Sequence, residues 1–232
     1  MFHDWKNRDY AMEWDRNPLR DNPAREEQLQ ILLTLVNGTY RVGQSILDLG
    51  CGSGIVEERL FQTIPGVRVV GIDSSPSMLE LAASRLRRWS ERLDLIESEF
   101  NSLDLVKTAT EPFGIVISVQ ALHNVSHEIK KRVFRQVRQV LDRNGAFYIL
   151  DRIRIDPELF EQTRLVLERL ATLHNVTINE GLTYPQHVEL LKQRGDDPAS
   201  LKEHLDWLRD ADFLAECVHS HGNRALVIAR PI

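Results

Sequence analysis

The sequence has few cysteines, no long apolar run and no excess of positive charge, and each absence excludes a class of protein. Two cysteines, Cys51 and Cys217, in 232 residues cannot build a disulfide framework. No apolar stretch approaches the roughly 20 residues that span a bilayer. The N-terminus also lacks a basic region followed by an apolar segment, the pattern of a secretion signal. We therefore expect a cytoplasmic protein that has no membrane partner.

The charge of the chain bears on its partners. The formal net charge is −5, which disfavours a nucleic-acid partner because phosphate binding needs a basic surface. The densest basic stretch lies on a predicted helix, opposite its apolar stripe, and consists of Lys130, Lys131, Arg132, Arg135 and Arg138. We interpret these residues as a solvated helix face rather than an RNA-binding platform.

Apolar segments and helix caps alternate from Ser45 onwards. The predicted strands are residues 46–49, 67–72, 93–96, 115–119 and 146–150. Helices between them begin at Ser75 and Ser126, and an earlier helix begins at Asn22 as N-cap with Pro23 in its first turn. Strands separated by helices predict a parallel α/β sheet.

The pattern changes after residue 155. Three helix starts, at Asp156, Tyr184 and Ser200, follow one another without a strand, and residues 213–218 and 225–229 then form a predicted hairpin. We expect a seven-stranded, mostly parallel sheet with helices on both faces, a C-terminal antiparallel hairpin and a helical lid inserted before it. The predicted segments are an N-terminal cap (1–44), a core (45–155), a substrate cap (156–204) and a final helix with the hairpin (205–232).

A glycine-rich turn carries the strongest chemical signal. Residues 47–54 read LDLGCGSG and lie between a predicted strand and a predicted helix, where glycines let the backbone turn tightly and approach a ligand. The GxGxG spacing differs from the GxGxxG typical of nicotinamide enzymes. Asp73 ends the next strand, 19 residues after Gly54. Its carboxylate can accept two hydrogen bonds from a ribose diol, or it can cap the following helix.

These segments resemble the first two motifs of class I S-adenosylmethionine (SAM)-dependent methyltransferases, and the resemblance extends over roughly residues 45–152 and 205–230. It implies a Rossmann-like fold that binds SAM and releases S-adenosylhomocysteine (SAH). Asp48 would hold the ammonium group of SAM, Asp73 its ribose hydroxyls, and Met78 would pack against adenine. The cofactor-binding residues implied by these two motifs are Asp48, Gly50, Cys51, Gly52, Gly54, Asp73, Ser74 and Met78.

The third and fourth motifs of the family match less closely. Glu99 and Phe100 occupy the positions of an acidic and a small residue that clasp adenine, so Phe100 departs from the pattern. Val119 and Gln120 would lie beside the sulfonium. Gly114 stands where the family usually has an aspartate. These two departures keep open a protein that binds SAM without transferring its methyl group.

Candidate catalytic residues follow from the same resemblance. His123 matches a position that is often histidine in small-molecule methyltransferases, and it is the first candidate for a general base, with Tyr10 second. Tyr10 and Trp14 share a helix face, which either closes over SAM as a lid or staples the N-terminus to the core. His219 and His221 lie on one side of a strand, but no third ligand has a useful spacing, so we predict no metal site.

The predicted function is methyl transfer from SAM to a small molecule, such as a carboxylic acid or a natural product. The signature of amino-group methyltransferases is absent, because residues 118–121 read SVQA. A tRNA or protein methyltransferase, a degenerate SAM-binding protein and a nicotinamide oxidoreductase remain alternatives. Homodimer formation through the helical insertion also remains open.

Overall fold

The computed structural model describes residues 5–16, 22, 24–176, 178 and 181–232. Its strands form one seven-stranded sheet within these residues, in the order β3-β2-β1-β4-β5-β7-β6. The strands are β1 (Ser45–Leu49), β2 (Arg68–Asp73), β3 (Leu93–Glu97), β4 (Phe113–Val119), β5 (Leu141–Arg152), β6 (Phe213–His221) and β7 (Arg224–Pro231).

Helices cover both faces of this sheet. They are α1 (Arg8–Arg16), α2 (Arg25–Thr39), α3 (Ile55–Thr63), α4 (Pro76–Arg85), α5 (Leu105–Thr108), α6 (His127–Val140), α7 (Phe160–His174), α8 (Tyr184–Arg194) and α9 (Leu201–Asp210). The predicted caps Ser75, Ser126 and Ser200 are confirmed, because each side chain accepts a hydrogen bond from a backbone N–H in the first turn of its helix.

The start of α2 differs from the prediction. The helix begins at Arg25, with Ala24 as its N-cap, and Pro23 lies outside the described residues. Asn22 does not cap the helix with its side chain, which instead donates a hydrogen bond to Gln28 Oε1 at 2.9 Å. This bond uses the amide nitrogen of Asn22, so it fixes the side chain without capping the helix, whereas the Asn22 carbonyl oxygen accepts from the Arg25 N–H at 3.1 Å.

The strand order defines where a ligand can bind. The first five strands are parallel, and β7 runs antiparallel to both β5 and β6. The order reverses between β1 and β4, and open α/β sheets bind ligands beyond the carboxyl ends of the strands at such a switch point. The predicted Rossmann-like fold with a C-terminal antiparallel hairpin is confirmed.

Two apolar layers enclose the sheet. Alternate residues of one strand enter different layers, so that Ile46 packs towards α2 and α3 whereas Leu47 packs towards α6 and α9. Both residues are fully buried. This explains why the parallel strands read as nearly continuous apolar runs in the sequence.

The basic stretch on α6 is not a solvated face. Lys130 is fully buried, and its Nζ donates hydrogen bonds to the carbonyl oxygens of Val125 and Asp197. Arg132 donates from Nη2 to the Phe100 carbonyl oxygen at 2.6 Å. The prediction is therefore wrong for these two residues, whose charges serve internal contacts.

The helical insertion is anchored at the carboxyl end of β5. Arg152 forms a buried ion pair with Asp196, and the Asp197 N–H donates to the His123 carbonyl oxygen at 2.7 Å. Gly222, in the β6–β7 turn, leaves space for Leu167 of α7, which a Cβ would overlap. The domain boundaries and the role of this insertion as a substrate lid stay predictions. No helix in the described ranges is both long and apolar enough to cross a membrane.

Candidate active site

A cavity of about 390 Å³ lies beyond the carboxyl ends of β1, β2 and β4. Its walls come from the glycine-rich turn, the end of β2, residues 98–101, residues 119–121 and residues 124–126. Trp5 and Trp14 close it from the N-terminal side. The position is the switch point of the sheet, so the fold and the cavity indicate the same site.

Gly50 makes the tight turn of the loop. Its φ is +83°, and its N–H donates to the Ile72 carbonyl oxygen at 2.7 Å. A Cβ at this position would overlap the Cβ of Ala121, which comes from the end of β4. Only glycine combines this left-handed conformation with such a close approach. Cys51 lines the cavity beside it, and burial raises the pKa of its thiol well above the ordinary value, which disfavours a nucleophilic role.

Gly54 has a different role from the one that the resemblance implies. It does not line the cavity. A Cβ on Gly54 would lie 2.8 Å from Leu86 Cδ1 and 3.2 Å from Ala82 Cβ. Its absence lets α4 pack closely against the start of α3, so the third glycine serves packing between elements rather than ligand contact.

Asp73 links the end of β2 to the glycine-rich turn. Its Oδ2 accepts a hydrogen bond from the Gly52 N–H at 2.8 Å, and its Oδ1 accepts from the Ser75 N–H at 2.9 Å. Ser75, not Asp73, caps α4. Each carboxylate oxygen can accept a second bond, so the side chain can hold a diol as well as the loop. Burial raises the pKa of Asp73.

Two buried carboxyl groups lie beneath the loop. Asp48 at the cavity and Glu57 on α3 are both fully buried and lie within hydrogen-bond reach of each other, and no N–H or hydroxyl group in the described part of the chain donates to the Asp48 carboxyl oxygens. Burial and the neighbouring Glu57 raise the pKa of Asp48 well above its ordinary range, and burial raises the pKa of Glu57 to about 7. No sequence pattern distinguishes Glu57 from an ordinary acidic residue in a first helical turn.

Arg25 is a further group that sequence reasoning missed. It lines the cavity, is buried, and lies with its guanidinium carbon 5.1 Å from the centroid of the Trp14 ring. Its Nε and Nη1 have no hydrogen-bond partner among the residues with described positions. Burial, together with the charge of Arg59, lowers its pKa to about 10. The helical pattern of α2 would have placed any arginine there on the surface.

Helix α1 covers the loop. Asp15 accepts a hydrogen bond from Ser53 Oγ at 2.5 Å and pairs with Arg85 at 3.0 Å. Trp5 contacts Trp14 edge-on with ring centroids 5.7 Å apart. These contacts connect α1 to the glycine-rich turn and to α4, and they hold Trp5 and Trp14 against the cavity.

The remaining predicted contact residues gather at the cavity. Ser74, Met78, Glu99, Phe100, Val119 and Gln120 all line it. Glu99 pairs with Lys6 at 2.8 Å. Gln120 has a φ of +53°, and its buried Nε2 lacks a hydrogen-bond partner within the described residues.

The two residues that depart from the family pattern, Phe100 and Gly114, lie in different parts of the structure. Phe100 is a cavity wall, whereas Gly114 lies at the opposite end of β4, where Gln44 fills the space that a side chain would need.

The two candidate bases do not line the cavity. His123 is buried, and its Nδ1 lies 2.5 Å from Asp151 Oδ1. The next residue, Asn124, lines the cavity instead. Tyr10 packs edge-on against Trp5 with ring centroids 5.2 Å apart. The pKa of Asp151 lies below its ordinary value because the charge and hydrogen bond of His123 outweigh burial, which alone would raise it.

The histidine pair of β6 has a neighbour that the sequence spacing did not show. Glu27 of α2 lies beside His219 and His221, and the potential ligand atoms of all three residues are within 4.8 Å of one another. The absence of a third group was the reason for predicting no metal site, and that reason is wrong. Glu27 is about 190 residues away in the chain, so no local spacing could reveal it.

Comparisons with known proteins agree with this site. Residues 46–145 match the family model described as a methyltransferase domain. The chain is 30% identical over 117 residues to malonyl-[acyl-carrier protein] O-methyltransferase of Legionella pneumophila, covering 50% of this chain and 38% of that protein. It is 31% identical over 128 residues to ubiquinone biosynthesis O-methyltransferase of Nitrosococcus oceani, covering 55% and 48%. The chain thus spans less than two thirds of either relative.

A solved structure shows the same fold. The complex of DhpI with SAH superposes with a TM-score of 0.65 at 16% identity, over 97% of this chain and 92% of that one. Residues 46–145 therefore resemble a methyltransferase domain, and they belong to a chain that has the same fold as this complex.

Proposed function

We propose that this protein transfers a methyl group from SAM to an oxygen atom of a small-molecule acceptor. The observation that carries the proposal is the cavity in which Asp48 is buried against a second carboxyl group, that of Glu57, beneath a glycine-rich turn tied to Asp73. Two carboxyl groups buried side by side are costly, because burial and mutual repulsion both disfavour their charged forms. A cationic ligand beside it would offset that cost, and SAM carries an ammonium and a sulfonium.

The residues present fit each part of SAM. Asp73 would accept hydrogen bonds from the ribose hydroxyls, and Asp48 would hold the ammonium group. Arg25, whose guanidinium is buried and incompletely hydrogen-bonded, would hold the carboxylate. Met78 and Phe100 would flank the adenine, with Ser74 and Glu99 at its edge. The space that Gly50 leaves open would admit the methionine portion.

SAM supplies a methyl group already activated by its bond to a sulfonium. The remaining tasks of the protein are to align the acceptor and to exclude water. Trp5 and Trp14 suit both the exclusion of water and attraction to a cation through their ring faces. Asp15 ties α1 to Ser53 and Arg85, which holds the helix and its aromatic residues over one side of the cavity. This supports the lid interpretation of the N-terminal aromatics.

Three observations support a small-molecule acceptor with an oxygen nucleophile. Two relatives are named O-methyltransferases. The net charge is negative, and Lys130 and Arg132 make internal contacts rather than a basic groove. A role of His123 as base stays a prediction: Asp151 would fix its Nδ1 and leave Nε2 to accept a proton, but Asn124 is the nearer residue to the cavity.

Calorimetric titration with SAM and SAH tests the proposal. Asp73→Ala should weaken both ligands by about 100-fold, because two charge-assisted hydrogen bonds are lost. Asp94→Ala, an exposed aspartate on the neighbouring strand β3, should bind like the wild type. Failure of the wild type to bind either ligand would overturn the proposal. If SAM binds, mass spectrometry of mixtures with small acids, phenols, RNA and protein identifies the acceptor class, and methylation of RNA or protein alone would overturn the small-molecule assignment.

A further inference from the structure

The edge strand β6 contains a β-bulge that changes which face its last residues occupy. Cys217 pairs with Val227 and His219 pairs with Leu226, so β6 advances by two residues where β7 advances by one. Because side chains alternate between faces, one extra residue moves all later side chains to the other face. Cys217 contacts the layer on the side of α6 and α9. After the bulge, His219 and His221 face α2 instead.

The bulge brings the two histidines to Glu27 in the first turn of α2. Glu27 Oε1 lies 3.4 Å from His219 Nε2, and Oε2 lies 3.9 Å from His221 Nδ1. Ligand atoms about 2.1 Å from one zinc ion in tetrahedral geometry are about 3.4 Å apart. The Nδ1 of His221 is buried and has no hydrogen-bond partner in the described ranges. The three groups are thus close enough for one ion to contact all of them after a modest movement of their side chains.

We propose that Glu27, His219 and His221 bind a divalent transition-metal ion that prefers imidazole ligands, such as Zn²⁺ or Ni²⁺. Two imidazoles and one carboxylate suit these ions, whereas Mg²⁺ and Ca²⁺ prefer oxygen ligands alone. Three protein ligands leave a position for water. None of the three residues lines the methyltransferase cavity, so the site is independent of the proposed SAM site.

The position of the site indicates what the ion does. It joins the first turn of α2 to the edge strand β6, which has a sheet neighbour on one side only. Arg25, two residues before Glu27, lines the cavity. The ion would therefore secure both an exposed strand and the helix end that carries Arg25. The alternative is a histidine–glutamate ion pair without a metal ion. At these partly exposed positions such a pair would contribute little to the stability of the fold.

Metal titration of the full chain, freed of metal by a chelator and dialysed, tests the site. Calorimetry with Zn²⁺ and with Ni²⁺ should show one ion bound per chain. At about 100 times the Kd, thermal unfolding should shift upwards by about 5 °C or more. The double variant His219→Ala/His221→Ala should lose both effects, and Glu27→Gln should weaken binding by at least about 10-fold. His174→Ala, an exposed histidine at the end of α7, should match the wild type.

Two results would overturn the proposal. One is the absence of stoichiometric binding to the wild type. The other is unchanged binding to the double variant with native far-UV circular dichroism, which would place the ion elsewhere. If the double variant does not fold, Glu27→Gln decides, because Glu27 is half-exposed on a helix and its amide is nearly isosteric. Co²⁺ adds a spectroscopic check: its visible absorption should report a protein-bound, low-coordinate ion in the wild type and be lost in Glu27→Gln.

Discussion

Two regions of the fold bury ionisable side chains: the region beside the glycine-rich turn and the region under the helical insertion. The two regions differ in the groups that surround these side chains. Beside the turn, the Asp48 carboxyl lies against a second carboxyl group, that of Glu57, and receives no hydrogen bond from an N–H or hydroxyl group of the described residues. Under the insertion, His123 pairs with Asp151, and Lys130 donates to two carbonyl oxygens. All five residues are about equally buried. Burial by itself therefore does not indicate a binding site, whereas two carboxyl groups buried side by side next to a cavity are a feature that a cationic ligand would explain.

The comparison has an energetic basis. A buried pair of complementary groups offsets much of its desolvation through its own contacts, but two adjacent carboxyl groups keep a penalty from burial and mutual repulsion until a cationic ligand binds. The fold tolerates this penalty where a ligand will bind. Substitutions on the two sides should consequently affect different measurements: ligand affinity on the first side and folding stability on the second.

The largest effect is expected at the loop itself. Gly50→Ala should reduce SAM affinity by at least about 100-fold and lower Tm, because the new Cβ overlaps Ala121 at a φ of +83°. Adding Ala121→Gly should restore part of the affinity by removing the overlapping atom. Gly66→Ala is the matched control, since Gly66 also has a positive φ, its Cβ would meet open space and it does not line the cavity. Equal losses in Gly50→Ala and Gly66→Ala, measured by calorimetry, would show that crowding is not the cause.

On the other side, His123→Ala should lower the free energy of unfolding by about 2 kcal/mol, because the buried Asp151 carboxylate loses its hydrogen-bond partner. The Kd for SAM should change by less than about threefold. Urea unfolding and calorimetry measure the two quantities, with His174→Ala as the control. Unchanged stability together with a loss of methyl transfer and an altered pH–rate profile would instead favour a base role for His123.

The buried carboxyl groups Asp48 and Glu57 should give the SAM-free protein a pH-dependent stability. Burial raises the pKa of Glu57 to about 7 in the folded state against an ordinary 4.5, so between these values the folded protein binds more protons than the unfolded chain. The free energy of unfolding should therefore fall by about 3 kcal/mol as pH rises through this window. Glu57→Gln should remove most of the fall, and Glu58→Gln should not. A flat profile in the wild type would contradict the raised pKa of the buried pair.

The smallest effect is expected at the edge of the cavity. Arg25→Met should weaken SAM by about 10-fold, because one charge-assisted contact to the carboxylate is lost. Methylthioadenosine, which lacks the amino-acid portion, should bind both proteins equally. Arg41→Met, an exposed arginine beyond α2, serves as the control. Equal weakening of both ligands would mean that Arg25 supports the shape of the cavity rather than the carboxylate.

Much of the site was predictable because its signals are local. The helix caps at Ser75, Ser126 and Ser200 act on N–H groups two or three residues away, so short sequence patterns reveal them. The glycine-rich turn and Asp73 are likewise predictable, because adjacent parallel strands bring their carboxyl ends together. Arg25 and Glu57 were not predictable, since their helices show no local sign that these positions are buried.

The sequence by itself determined the order of strands and helices, the position of the glycine-rich turn and the resemblance to methyltransferases, because periodicity, caps and turns depend on neighbours in the chain. Only the tertiary structure decided which charged groups find partners. It turned His123 towards Asp151 and away from the cavity, and a single bulge carried His219 and His221 to Glu27. These positions depend on contacts between segments that are distant in the sequence. In a strand, a shift of one residue places each side chain on the opposite face of the sheet.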